Sequence, residues 1–114
     1  LVLGLMLGEL EDLEAAIECF AAAIERKPDY AEAWLWQGRA LRGGEKVEEA
    51  ERCFRQAIRF RPDVPDGHAE LGELLLAGGR AAEAVEALKT AVDLSPGNVG
   101  WRRRLVEARR RAKR

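Results

Sequence analysis

One spacing constrains this chain more than any other feature. Prolines stand at Pro28, Pro62 and Pro96, 34 residues apart each time, and glycines stand at Gly4, Gly38 and Gly72 with the same step. Alanines repeat it twice, at Ala16, Ala50 and Ala84 and at Ala23, Ala57 and Ala91, and Phe20, Phe54 and Leu88 form a column of large apolar residues. Five columns sharing one period mean that the chain is built from copies of one unit. A fixed period of this length is the sequence signature of stacked supersecondary units, each unable to bury its own apolar face alone.

Inside one period the pattern reads as two helices. Ala31 to Arg42 places Trp34, Leu35, Ala40 and Leu41 at near-helical steps. Gly43-Gly44 breaks it, as expected where a helix ends in a left-handed turn. Lys46 to Phe60 is a second helix with Val47, Ala50, Phe54, Ala57 and Ile58 on one face. Pro62 cannot continue it. The next period copies this through Asp66 to Ala77, Gly78-Gly79 and Ala81 to Leu94, with Pro65 in a first turn, where proline is tolerated. The first period holds a stub from Leu1 and a helix from Leu13 to Arg26. The small residues have a mechanical role: Gly38 and Gly72 let two helices approach, and Phe20, Phe54 and Leu88 fill the gaps between successive hairpins. A continuous coiled coil is excluded, because heptads are missing and the Gly-Gly and proline breaks recur too regularly.

The run Trp34, Gln37-Gly38, Leu41, Ala50, Phe54, Ala57 and Pro62 is similar to the tetratricopeptide repeat signature. The third repeat matches through Leu71-Gly72, Leu75, Ala84, Leu88, Ala91 and Pro96, with His68 in place of the usual large aromatic. The first keeps Leu3-Gly4, Ala16, Phe20, Ala23 and Pro28. The resemblance covers residues 1–98. It implies an all-α fold, a right-handed α-solenoid of antiparallel helix pairs, in a single domain: repeat 1 over about 1–30, repeat 2 over 31–64, repeat 3 over 65–98, and a capping helix over 99–113. Asn98 is a good N-cap for that last helix, which turns Trp101, Leu105 and Ala108 to one side and arginines to the others. A valine at 106, where the other repeats have glycine, sets it apart from the first helix of a fourth repeat.

By the same resemblance, the first helices line an inner surface that binds extended or helical peptides. The matching positions form a candidate groove of Leu1, Leu5, Glu32, Leu35, Trp36, Arg39 and Arg42, continuing through Asp66, Glu70 and Glu73 to Arg103, Arg104 and Glu107. Trp36 lies two residues beyond the core column and points elsewhere on its helix. It serves either as a binding anchor or as a filler of the groove wall against Leu1, Leu5 or Glu70. One subclass of the family clamps the terminal carboxylate of acidic chaperone tails with lysine, asparagine and arginine. Here the matching positions hold Leu1, Leu5, Trp36, Asp66 and Glu70, and a shift by one repeat gives Leu35, Arg39, Glu70, Gly100 and Arg104. Neither register builds the clamp, and Asp66 and Glu70 repel a carboxylate. The acidic third repeat favours a ligand with a basic residue above it.

Charge is unevenly spread. Residues 102–114 hold eight of the 19 basic side chains and one of the 20 acidic ones. A tail of this kind suits a solvated last helix whose C-terminus favours cations. Nucleic acid or an anionic membrane surface is the lesser reading, because an acidic body opposes phosphate and Trp101 is the one aromatic beside the arginines. No apolar run reaches the roughly 18 residues of a membrane span. Leu1 to Leu7 is too short for one, lacks a basic flank, and reads as a buried helix stub. The chain starts with Leu, so it reads as a segment of a longer protein.

No catalytic constellation, metal cluster or cofactor motif is legible. His68 sits in an interface column and reads as a core histidine. Carboxylates pair on outer faces, as in Glu48–Arg52 and Glu51–Arg55. Cys19 and Cys53 share a column one period apart, too far for a disulfide, and are expected as free thiols. The sequence thus describes a protein-interaction scaffold and not an enzyme. Self-assembly by end-to-end stacking of arrays, or service as a regulatory module of a larger protein, is the alternative.

Overall fold

The 34-residue step of the sequence is reproduced in the backbone. In the computed structural model, which describes residues 13–113, six helices follow one another: α1 (Leu13–Arg26), α2 (Ala31–Gly43), α3 (Val47–Phe60), α4 (Pro65–Ala77), α5 (Ala81–Leu94) and α6 (Val99–Ala112). Helices α1, α3 and α5 begin one period apart and are each 14 residues long. Helices α2, α4 and α6 also begin one period apart. The expected stub from Leu1, with Leu1, Gly4 and Leu5, lies outside the described residues. The chain divides between Arg61 and Pro62 into two compact units.

In the first unit, α2 packs on both α1 and α3. Phe20 is buried with Ala16 and with Ala40 of the following hairpin, and Leu13, Ile17 and Trp36 pack around them. Phe54 of α3 is fully buried, and its ring lies on Gly38 of α2. A Cβ on Gly38 would stand 2.5 Å from Phe54 Cε1, far inside van der Waals contact. The expected role of Phe54 as a filler between hairpins is therefore narrowed: its ring is received within its own hairpin, by the residue that lacks a side chain.

In the second unit, α5 packs on α4 and α6. Leu88 is fully buried and meets Gly72 as Phe54 meets Gly38: a Cβ at Gly72 would lie 2.6 Å from Leu88 Cγ. Helix α6 buries Leu105 and Ala108, while Val99 and Val106 are 58 % and 54 % exposed. Its start is fixed by Asn98, whose Oδ1 accepts the Trp101 amide at 3.0 Å, as its residue type foretells. Pro65 opens α4 at a position where a missing N–H costs nothing.

The turn of the second hairpin falls on its Gly-Gly pair as expected, and that of the first does not. The Gly-Gly pairs lie one step out of register between the hairpins. The left-handed residue is Gly79 (φ 80°) in the second and Glu45 (φ 64°) in the first, not Gly43 or Gly44. Both turns close with the same bond, from the Lys46 amide to Leu41 O at 2.8 Å and from the Arg80 amide to Leu75 O at 2.9 Å. This is the 6→1 bond that satisfies helix-end carbonyls. The bond dictates the left-handed geometry, and the sequence merely makes it easy in one copy and strained in the other.

Both cysteines are free, Cys53 buried and Cys19 half-buried. Burial pushes the Cys53 thiol up from 9.0 to about 11, against the pull of Arg52 and with a further push from Glu49.

Candidate functional site

A first helix can recognise a partner only with side chains its own hairpin leaves uncovered. On α2, the column facing away from α3 carries Glu32, Trp36 and Arg39. Glu32 is exposed, while Trp36, Arg39 and Arg42 are half-buried. Leu35 is only 7 % exposed. Trp36 has one side against the Ala16, Phe20 and Ala40 cluster. The Arg39 guanidinium stacks on its ring, 4.2 Å from the centroid. Three residues of helix bring the two side chains to neighbouring positions, and the ring quadrupole attracts the cation by about 0.5–1 kcal/mol at such a surface. The result is an ordered stack, the Trp36–Arg39 plate: an indole packed on the α1 cluster with a guanidinium stacked on its ring.

On the second unit, α4 carries Asp66, Glu70 and Glu73 along one stripe. Asp66 and Glu73 are half-buried, and Glu70 is 7 % exposed. A carboxylate so enclosed needs polar or ionic partners, and Glu70 is among the residues that have them. Glu73 reaches Arg104 of α6 at 3.4 Å, while Arg103 is exposed. The acidic and basic expected positions are thus joined at one pair within this unit. Leu5 lies outside the described residues.

Two polar contacts were not anticipated. The Trp34 indole N–H donates to Pro28 O at 2.8 Å. One period later, His68 Nε2 stands 3.0 Å from Pro62 O. A carbonyl only accepts, so Nε2 carries the proton. His68 therefore reproduces the indole's donor at the same repeat position, which explains how histidine replaces an aromatic there. The signal in the sequence was that both residue types offer a ring N–H at one column. On the outer faces, Arg55 pairs with Glu51 at 2.9 Å as expected, and Arg80 with Glu83 at 2.7 Å. Among the described residues no group of three His, Cys, Asp or Glu is placed to hold a metal ion, and no helix is long and apolar enough to cross a membrane.

Comparison with known proteins agrees with this architecture. No curated protein matches the sequence. Among solved structures, the crystal structure of MamA protein superposes with a TM-score of 0.90 at 21 % identity, covering 99 % of this chain, which spans 62 % of that one. The second TPR domain of human RPAP3, solved in complex with the HSP70 peptide SGPTIEEVD, superposes with a TM-score of 0.84 at 26 % identity, covering 93 % of this chain and 88 % of its own. The first TPR of Spaghetti (RPAP3), bound to the HSP90 peptide SRMEEVD, gives a TM-score of 0.90 at 16 % identity over 97 % of this chain and 88 % of its own. The description of the matching family model is "Tetratricopeptide repeat", over residues 1–51 and 37–99. With its paired helices, its glycine seats and its 34-residue step, this all-α helical-repeat chain belongs to the tetratricopeptide repeat family.

Proposed function

We propose that the chain binds a peptide or protein segment with the first-helix faces of its hairpins. The observation that carries this reading is the Trp36–Arg39 plate on α2. An aromatic ring and a guanidinium are the two groups most enriched among residues that dominate binding energy. Here both are ordered before any ligand arrives, which lowers the entropic cost of association. Relatives of similar fold have been solved with acidic chaperone-tail peptides, which supports a peptide ligand as a class. The chemistry of this chain points to a different peptide. Trp36, Asp66 and Glu70 occupy positions where the carboxylate-clamping subclass needs amide or cationic side chains. Asp66, Glu70 and Glu73 favour a basic residue in the ligand. On the first unit, the Arg39 guanidinium suits an acidic or carbonyl group of a ligand.

The test is selection of peptides from a random library on the wild-type chain, followed by titration of the selected peptides against Arg39→Glu. Expected are peptides whose binding is weakened at least about tenfold by Arg39→Glu while the melting curve stays in place. Trp36→Ala is the poorer probe, because Trp36 also packs on the α1 cluster and its loss affects folding. The peptide SGPTIEEVD is the matched control and is expected not to bind. Tight binding of that peptide, or full affinity in Arg39→Glu, would overturn the reading.

A further inference from the structure

The first and last described helices each leave one charged stripe in water, and the two stripes fit each other. On α6 the stripe is Val99, Arg102, Val106 and Arg109, all exposed. The spacing is three, four and three residues, which keeps them on one side of a helix at the steps of a coiled-coil seam. Val99 and Val106 are among the most exposed large apolar residues of the chain, at 58 % and 54 %. They alternate with arginines on a surface that Leu105 and Ala108, on the buried side, do not share. On α1 the corresponding stripe is Ala15, Glu18, Ala22 and Glu25, all exposed and spaced in the same way.

We propose that the chain self-associates head to tail, with the outer stripe of α6 on one copy lying along the outer stripe of α1 on another. In a parallel alignment each layer finds its complement: Val99 on Ala15, Arg102 on Glu18, Val106 on Ala22 and Arg109 on Glu25. The small alanines let the helices approach and the valines fill the space. Like pairing is opposed, because α6 against α6 sets arginine on arginine and α1 against α1 sets glutamate on glutamate. The contact is therefore heterologous: each copy uses two different surfaces and keeps one of each for the next. It is distinct from the α2 plate, so a peptide ligand and a second copy do not compete for the same side chains. Four layers of one helix pair make a small interface, so a dissociation constant of about 10–100 µM is expected, with strong dependence on salt.

Sedimentation velocity on the whole chain over that concentration range, at about 50 mM and about 500 mM salt, tests this. The expected result is growth of species beyond the monomer at low salt and its loss at high salt. Arg102→Glu/Arg109→Glu and Glu18→Arg/Glu25→Arg should each be monomeric with unchanged melting curves. Mixed in equal amounts they should associate again, since each then offers what the other lacks. A wild-type chain that stays monomeric at low salt would overturn the proposal, as would variants that associate as wild type does or a mixture that fails to recover. A monomeric wild type whose α6 arginines retain duplex DNA or acidic vesicles would also overturn it, assigning the stripe to a phosphate surface.

Discussion

The hairpin α2–α3 and the hairpin α4–α5 are two solutions to one set of backbone demands. Both need a glycine seat, and both have one, at Gly38 and Gly72. The first seats a phenylalanine ring and the second a leucine. Both tie a ring N–H to a proline carbonyl, one with tryptophan and the other with histidine. Both turn through a left-handed residue, one with glutamate and the other with glycine. The faces of α2 and α4 then diverge completely, into an aromatic–cation plate and an acidic stripe. Where the backbone sets the requirement, side chains vary only within what satisfies it. Where no backbone requirement exists, they vary freely.

The equivalence breaks most visibly at the seated side chain. Phe54→Ala should cost about 3–5 kcal/mol and Leu88→Ala about 2–5 kcal/mol, read from urea midpoints, because each leaves a cavity in a fully enclosed site. A loss below about 1 kcal/mol at either would show that the seat does not hold its hairpin together. The complementary change, alanine at the glycine, should cost about 1–3 kcal/mol. Gly72→Ala should be the worse, because the added Cβ also stands 3.3 Å from the Leu88 backbone nitrogen, which cannot turn away. Combining Gly38→Ala with Phe54→Ala should cost less than the two changes summed, since one provides the room the other takes.

Smaller effects sharpen the remaining parallels. Trp34→Phe and His68→Phe each remove the ring donor to a proline carbonyl and should cost about 1 kcal/mol. If one is neutral and the other is not, the two contacts are not equivalent. Gly79→Ala should lose about 1 kcal/mol by backbone strain, since nothing stands near the added Cβ. Glu45→Gly should gain about 0.5 kcal/mol by relieving the same strain in the other hairpin. At neutral pH the smallest effect belongs to Cys53. Its folded thiol holds its proton to about 11, above the unfolded value. The stability this gives is fully present below pH 9 and is lost as pH rises through 11. Cys53→Ala should abolish that alkaline component, and at neutral pH Cys53 should react with thiol reagents more slowly than the half-buried Cys19.

Most of the fold was legible because it is written in columns. The starts of α1 and α5 and the Asn98 cap follow from periodicity, proline and cap chemistry alone. In the first hairpin the residue that takes the left-handed turn, Glu45, was not legible, because the Gly-Gly pair advertises flexibility without stating which bond closes the turn. The partner of Phe54 was ambiguous for a related reason: a column says which residues are equivalent and not which neighbour each one meets. At the candidate site, Trp36 stood out by its offset from the core column. Its stacking by Arg39 and its support from α1 depend on rotamers and on packing between helices, which spacing does not encode.

The bare contact of Phe54 with Gly38 has a mechanical consequence. With only the Phe54 ring between the two arms at that point, α2 and α3 lie in direct contact with no slack between them. A ligand held by the indole and guanidinium on α2 would thus load the far arm as well, through the phenyl ring packed on the opposite face of that helix.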